Sequence, residues 1–214
     1  MNLNPINQLQ LYGLENELYE LISLFEKKKL PSKILLSGQK GIGKCTLAYH
    51  LINYILSKSE LLPYDKERLL INKDNKSFKL IINGSNPNFH LIDVAFDKKN
   101  IDIEQIRTLI TNINKSSFND KPRIILIDNT EYLNKSSVNA LLKSLEEPNK
   151  NTYFILINNQ QKLLKTLTSR CINFNINLSN YKSIEVINKL LDDDIHELIN
   201  DEMLNYYFSP GNLY

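Results

Sequence analysis

The stretch SGQKGIGKCT, residues Ser37 to Thr46, decides the fold of this chain. Gly38, Gly43 and Lys44 have the spacing G-x-x-x-x-G-K, with a short apolar strand before the loop and an amphipathic helix after it. In this context the loop binds phosphates, because backbone N–H groups, the helix N-terminus and the lysine charge all face the anion. The stretch therefore predicts a nucleotide-binding loop. The alternative is a plain glycine turn between a strand and a helix.

One position of the loop departs from the usual pattern. Cys45 stands where a serine or threonine hydroxyl binds Mg²⁺, a hard cation that prefers oxygen ligands. Thr46 carries a hydroxyl, but one step along a helix turns a side chain by about 100°. We therefore predict that the loop, including Gly41, binds ATP or ADP and coordinates magnesium weakly.

An acid at the end of a buried strand is expected to complete the site. Asp128 follows the apolar run 124–127 and can hold magnesium through water. Hydrolytic proteins of this architecture place a glutamate next, but here Asn129 follows. An amide cannot accept a proton, and loss of a general base costs about 10² to 10⁴ in rate. Glu131 compensates only if the loop folds back. The alternative for Asp128 is a structural role in capping a turn.

Composition limits the class of protein. The 214 residues are 42% hydrophobic and 23% charged, which fits one globular body with a small appendage. The net charge of +2 does not by itself indicate a polyanionic partner. The apolar runs are too short to cross a bilayer and the start MNLNPINQ has no signal-peptide core, so we expect a cytoplasmic protein without membrane contact. Cys45 and Cys171 lack metal-ligand spacing, which argues against zinc and against a disulfide framework.

Strand and helix patterns alternate along most of the chain, which predicts an α/β fold with a parallel sheet covered on both faces. After about residue 178 strands cease and two helices remain, so we expect a nucleotide-binding core over 1–177 and a helical lid over 178–214. An insertion with some helix at 64–71 is predicted within the core. The predicted strands are 33–37, 79–82, 89–94, 123–127, 153–157 and 171–174, and the predicted helices include 14–25, 47–56, 103–116, 136–147, 184–191 and 195–208.

Three runs carry a resemblance to a known family: NALLKSLEEP at 139–148, LLKTLTSRC at 163–171 and GSNPNFHLID at 84–93. They resemble bacterial DNA polymerase III clamp-loader subunits, which are AAA+ proteins with an SRC motif, and they are most similar to delta-prime. The resemblance covers about Leu9 to Gly211. It implies an AAA+ P-loop core, a small helical lid and a collar through which subunits form an open ring. It also implies gamma/tau and delta subunits as partners, and contact with the sliding clamp and primer-template DNA through the complex.

The resemblance assigns a role to Arg170, in the string Ser169-Arg170-Cys171. In the family this arginine reaches the ATP of the neighbouring subunit as a finger supplied in trans, and its guanidinium binds phosphate bidentately. The alternative is a surface ion pair. Only four of the 26 basic residues are arginines, which favours the functional interpretation. Asn158 or Asn159 stands where AAA+ proteins carry a polar sensor residue.

The chain departs from the family pattern in three places. Residues 57–83 contain no cysteine for the zinc module that many relatives carry there. The motif Ser209-Pro210-Gly211 is followed by Asn212, which cannot contact a phosphate as a cation would. The sequence stops at Tyr214, where a third lid helix and a collar are expected. Either a fragment or a protein that assembles differently fits this last observation.

The main prediction is a delta-prime-like subunit of the DNA polymerase III holoenzyme that takes part in ATP-dependent clamp loading without an ATPase activity of its own. The alternative is a gamma/tau-like motor that binds and hydrolyses ATP, with Thr46 or Glu131 restoring the chemistry. A third hypothesis is a P-loop kinase for a small molecule, which requires an arginine-rich lid. The four arginines of the chain argue against it.

Overall fold

The computed structural model describes residues 4–114, 119–149, 151–191 and 209–212. Its centre is a sheet of five parallel strands. The strands are β1 (Lys33–Ser37), β2 (Phe89–Ile92), β3 (Arg123–Ile127), β4 (Thr152–Asn158) and β5 (Ile172–Asn175). Their order across the sheet is β2-β3-β4-β1-β5, so the first strand lies between the fourth and the fifth. The loop that follows β1 is therefore near the middle of the carboxyl edge of the sheet.

Helices pack on both faces of this sheet. Local signals set their starts: the Asp102 side chain accepts from the Gln105 N–H at 3.2 Å in a capping box, and Asn134 accepts from the Ser137 N–H at 2.8 Å. Such caps satisfy N–H groups that have no partner inside a helix. The α-helices of the described ranges are α1 (Glu15–Glu26), α2 (Lys44–Ser57), α3 (Lys76–Ile82), α4 (Ile103–Ile113), α5 (Lys135–Glu146), α6 (Lys165–Thr168) and α7 (Asn180–Leu191).

The sheet separates two apolar cores. Alternate residues of a strand point to opposite faces, so in β1 the side chains of Ile34 and Leu36 enter one core and Leu35 enters the other. The first core lies under α1 and α2 and the second under α4 and α5. Burial on both faces explains why β3 and β4 are apolar at nearly every position. The expected α/β architecture with a covered parallel sheet is confirmed.

Two local predictions were wrong. The segment predicted as a strand over 79–82 lies in α3, because Asn75 caps this helix by accepting from the Phe78 N–H at 2.6 Å. Short apolar runs do not distinguish a strand from a buried helix. The segment predicted with some helix over 64–71 is a turn, in which Asp65 and Leu70 exchange two backbone hydrogen bonds of 3.0 Å. Asp65 also caps that turn, since its carboxylate accepts from the Arg68 N–H at 2.9 Å.

Most other elements are confirmed within a few residues. Strand β3 has the predicted bounds, and α5 begins and ends one residue before the prediction. Helix α7 begins four residues before the predicted start at 184, and the helix predicted over 195–208 lies outside the described residues. Within the described ranges, the helices are too short or too polar to span a membrane.

Candidate functional site: the phosphate-loop cavity and the Arg170 edge

The glycine-rich loop joins β1 to α2 and is held by close backbone approaches. Gly43 has φ +93, a left-handed backbone conformation that residues other than glycine rarely adopt. A Cβ on Gly38 would lie 2.2 Å from the carbonyl oxygen of Ile176, so only glycine fits there. At the other side of the loop the Gly211 N–H donates to the Gly41 carbonyl at 2.9 Å. The loop is therefore fixed by contacts with two later parts of the chain.

A cavity of about 300 Å³ lies at this loop. Its walls come from the loop with the start of α2, the N-terminal segment, the ends of β3 and β4, α7, and the turn at 210–211. Clefts of this size that combine apolar walls with a few polar groups are typical ligand sites. The lining includes the predicted site residues Gly41, Gly43, Lys44, Cys45, Thr46 and Asp128, together with Gln10, Tyr12, Asn129, Asn159 and Gly211.

The loop lysine is bonded to its own loop. Lys44 is 3% exposed, and its Nζ donates to the carbonyl oxygens of Gly38 at 2.9 Å and Gln39 at 2.5 Å. Burial lowers the pKa of Lys44 to about 8, and the nearby charges of Asp128 and Glu131 oppose that fall. A phosphate that binds here has to draw the ammonium group away from these carbonyls.

The thiol at position 45 interacts with the acid that follows β3. Burial raises the pKa of Cys45 well above its ordinary value, and the hydrogen bond to Asp128 adds to that rise, so the thiol stays protonated and donates to the carboxylate. Burial also raises the pKa of Asp128; the Asp93 charge adds to this rise and the Cys45 hydrogen bond opposes it. A thiol is a poor magnesium ligand, so this position does not fit the metal as a hydroxyl would. Among the described residues, no group of three or more His, Cys, Asp and Glu side chains is arranged to hold a metal ion.

An amide network extends from Asp128 across the ends of three strands. Asn129, at φ 53, donates from Nδ2 to Asp93 Oδ1 at 2.8 Å, and its own Oδ1 accepts from Asn159 Nδ2 at 2.9 Å. Asn159 Nδ2 also donates to Glu131 Oε1 at 2.8 Å. Glu131 therefore does lie close to the site, and its charge acts on Lys44. The asparagine at the position of a catalytic glutamate instead bonds to Asp93 directly and is linked to Glu131 through Asn159.

Sequence reasoning treated two of these positions incompletely. Asp93 follows β2 directly and lies at the same edge of the sheet as Asp128, and the sequence prediction assigned it no role in the site. An acid at the end of a second parallel strand was the available signal. Of the two asparagines predicted for the sensor position, Asn159 lines the cavity, whereas Asn158, the last residue of β4, closes a turn by donating to the Gln161 carbonyl at 2.9 Å.

The N-terminal wall of the cavity is fastened to the turn at 64–71. The Ile71 N–H donates to the Leu9 carbonyl at 2.8 Å and the Leu11 N–H to the Leu69 carbonyl at 3.3 Å. Beneath them His50 is fully buried, with Nε2 3.1 Å from the Gln8 carbonyl and Nδ1 2.8 Å from the Tyr64 hydroxyl. Because a carbonyl only accepts, Nε2 carries the proton. Burial lowers the pKa of His50 to about 4.

Arg170 lies away from this cavity. It belongs to the turn between α6 and β5, and its side chain is 31% exposed. Ile172 pairs with Ile34 near the start of β1, whereas the phosphate loop leaves the other end of that strand. Four residues of strand correspond to about 13 Å. Arg170 and the chain's own phosphate loop are therefore at opposite ends of the sheet, and Arg170 is not among the described residues that line the cavity.

Arg170 is held by the ends of two helices. Its Nε and Nη2 donate to Glu146 Oε1 at 3.0 and 2.5 Å, and its Nη1 donates to the Thr166 carbonyl at 2.8 Å. Glu146 is exposed, and its carboxylate is paired with Arg170. The ion-pair alternative for this arginine therefore describes the contact correctly, although the pair leaves part of the guanidinium exposed.

Comparison with known proteins identifies the family. The family model described as DNA polymerase III, delta subunit, matches residues 13–180. The chain belongs to this DNA polymerase III delta-subunit family. The match includes the phosphate loop, all five strands and the SRC string, so the expected family relationship is confirmed.

The relatives of this chain include delta' and gamma subunits of DNA polymerase III. The chain is 34% identical over 163 residues to DNA polymerase III subunit delta' of Buchnera aphidicola subsp. Schizaphis graminum, which is 74% of this chain and 47% of the relative. It is 30% identical over 177 residues to the delta' subunit of Bacillus subtilis, and the match covers 82% of this chain and 50% of the relative. The gamma subunit of the same Buchnera is 31% identical over 161 residues, and the match covers 75% of this chain and 42% of the relative. The chain thus spans about half the length, or less, of these relatives.

Solved structures share the fold. The RuvB Holliday junction branch migration motor of Thermotoga maritima superposes with a TM-score of 0.51 at 19% identity, over 88% of this chain and 56% of that one. PCH-2 of C. elegans superposes with a TM-score of 0.50 at 18% identity, over 88% of this chain and 49% of that one. At these identities the likeness concerns the fold alone. The fold is the AAA+ core, as the resemblance implied.

Proposed function

We propose that this chain works as a delta-prime-like clamp-loader subunit that binds a nucleotide without cleaving it and places Arg170 against the triphosphate of a neighbouring ATPase subunit. The observation that carries the proposal is the position of Arg170 at the end of the sheet opposite to its own phosphate loop. A guanidinium in that position suits a phosphate on another molecule. The proposed neighbours are gamma/tau and delta subunits, with the sliding clamp and primer-template DNA contacted through the complex.

The chain's own cavity supports the non-hydrolytic part of the proposal. The Cys45 thiol donates to Asp128, which occupies an acceptor that water-bound magnesium would use. Asn129 stands at the general-base position and is bonded to Asp93 and Asn159. The loop with Lys44 fits ATP or ADP, and we propose no zinc site. We also propose a cytoplasmic location.

A gamma/tau-like motor is the second candidate, and Glu131 favours it. This carboxylate accepts from Asn159 at the cavity wall, so the loop after β3 does turn back towards the site. A carboxylate in that place is a candidate base for an attacking water. This candidate requires vigorous ATP turnover by the isolated chain, whereas the first candidate requires almost none.

The test compares ATP turnover by the isolated chain with turnover by its mixture with a gamma-type subunit, sliding clamp and primed DNA. We expect negligible turnover by the chain alone and stimulation of the partner by the wild type. Arg170→Ala should lower turnover in the mixture on the order of 10³-fold, the usual weight of an arginine finger, and leave the partner's ATP affinity nearly unchanged.

Arg107→Ala is the matched control. Arg107 also forms an exposed ion pair, with Glu104 at 2.6 Å, but lies on α4. It should leave turnover unchanged. The role in trans is refuted if Arg170→Ala and Arg107→Ala behave alike in a mixture shown to assemble by gel filtration. Absence of any complex with the gamma-type subunit also contradicts the proposal.

A further inference from the structure

The guanidinium of Arg170 uses three of its five N–H groups inside the chain. The Nε–H and one N–H of Nη2 go to Glu146, and one N–H of Nη1 goes to the Thr166 carbonyl. One N–H remains on each terminal nitrogen, and neither has a partner among the described residues. A guanidinium is planar, and Glu146 Oε1 accepts from both Nε and Nη2, so the second N–H of Nη2 points to the outer edge between the two terminal nitrogens.

The outer edge is the part of the guanidinium that can bind a phosphate in a bidentate manner. Glu146 contacts the edge formed by Nε and Nη2, and Thr166 accepts one N–H of Nη1, so these bonds fix the plane of the group and leave one N–H on each terminal nitrogen. A free arginine side chain samples many rotamers and loses that freedom when it binds. Arg170 has already lost most of it, since its side chain is 31% exposed and bonded on two sides.

The position of Glu146 is unusual for the helix on which it lies. It is the last residue of α5, where the partial negative charge of the helix disfavours a carboxylate. The following residue Glu147 is also acidic, so the pair adds repulsion there. A cation partner offsets this cost, and Arg170 is that cation. The Thr166 carbonyl lies in α6, which ends at Thr168.

We propose that Glu146 is a positioning residue: it holds Arg170 with its outer edge presented to an external phosphate. The inference rests on the proposed role of Arg170 in trans and extends it to a second side chain. The external group is a phosphate of a nucleotide bound by a neighbouring subunit. Glu146 itself does not contact that phosphate.

The first test uses the chain alone. With only four arginines, the ¹⁵N–¹H spectrum of arginine Nε groups is assigned by single substitutions. We expect a sharp, slowly exchanging Arg170 signal in the wild type and its loss by averaging in Glu146→Ala. Glu147→Ala removes the adjacent exposed carboxylate and should leave the signal unchanged. An Arg170 signal that is the same in wild type and Glu146→Ala overturns the proposal.

The second test measures partner turnover in the assembled mixture. Glu146→Ala should lower kcat about threefold to tenfold, the cost of immobilising one long side chain, and leave the KM for ATP unchanged. Glu146→Gln keeps an oxygen that can accept from Nε and should restore most of the loss. If the ion pair is purely structural, Glu146→Ala and Glu146→Gln both lower the midpoint of unfolding, and kcat does not differ between them.

The outcomes separate this inference from the proposed function. If Arg170→Ala leaves turnover unchanged, the role in trans fails and this inference fails with it. If Arg170→Ala lowers turnover and Glu146→Ala matches Glu147→Ala, only the positioning role fails. A Glu146→Ala variant that raises turnover shows a competing ion pair and also overturns the positioning role.

Discussion

The two ends of the parallel sheet each carry a cation suited to phosphate, but the two cations differ in exposure and in hydrogen bonding. At the carboxyl end Lys44 is 3% exposed and its ammonium is bonded to two carbonyls of its own loop. At the amino end the Arg170 side chain is 31% exposed and two of its N–H groups have no partner among the described residues. The first cation is enclosed with acids, and the second is fixed but presented outwards.

This difference follows from where burial is needed. The phosphate loop lies between the ends of the central strands, so its lysine is desolvated and its pKa falls to about 8. The turn before β5 is near the surface, at the edge strand of the sheet. The comparison teaches that the same sheet encloses one cation in a glycine-rich loop at its carboxyl end and leaves another partly exposed at its amino end.

The largest effect is expected at the cavity end when the pH falls. The folded-state pKa of His50 is about 4 and its ordinary value is 6.5, so between these values the unfolded chain binds the proton and the folded chain does not. Stability is therefore lost as the pH falls from 6.5 to 4, by about 3 kcal/mol. Urea unfolding across this range checks it. His50→Gln should remove most of the pH dependence of the free energy of unfolding, and His90→Gln should remove much less of it. The prediction is contradicted if this free energy changes equally with pH in the two variants.

The next effect separates the two ends. Lys44→Ala should weaken ATP binding about 10- to 100-fold, because one charge-assisted hydrogen bond contributes about 1.5 to 3 kcal/mol. Stimulation of a partner's turnover through Arg170 should persist. Titration with a fluorescent ATP analogue and the turnover assay measure the two quantities. The control is Lys58→Ala, which removes an exposed lysine that follows the other end of α2 and is not among the residues that line the cavity. If Lys44→Ala loses both ATP binding and stimulation of the partner's turnover, the two ends of the sheet are coupled.

A smaller effect concerns the charge of the loop lysine. Because the pKa of Lys44 is about 8, its ammonium form declines as the pH rises through that value. ATP affinity should fall roughly tenfold from about pH 7 to about pH 9. Isothermal titration of wild type and Lys44→Ala checks this, since the variant should show a flat profile. A wild-type affinity that is constant over this range argues against the lysine as a phosphate ligand.

The smallest effect tests the thiol at the magnesium position. In Cys45→Ser a hydroxyl replaces the thiol, so magnesium should strengthen ATP binding about threefold to tenfold in the variant and little in the wild type. Cys171→Ser changes the cysteine beside Arg170 and serves as the control, with no gain expected. Titrations with magnesium and with a chelator provide the comparison. A wild type that already gains strongly from magnesium would refute the weak-coordination prediction.

Much of the fold was predictable because burial on both faces of a parallel strand leaves an apolar run, as in β3 and β4. The glycine spacing also located the cavity. The strand predicted at 79–82 failed because Asn75 caps a helix there, and a four-residue apolar run has no period of its own. The Asp93–Asn129–Asn159 network could not be predicted, since it depends on three strand ends that meet only in space. The contact of Glu146 with Arg170 spans 24 positions and has no local signature.

The hydrogen bond from the Gly211 amide to the Gly41 carbonyl joins the phosphate loop to a turn 170 positions later in the chain. A Cβ on Gly211 would lie 2.8 Å from Gly41, so this contact has almost no free space. A ligand that widens the loop must displace the turn as well. We therefore expect amide exchange at Gly211 to change when a ligand binds at the loop, which can be read without labelling that ligand.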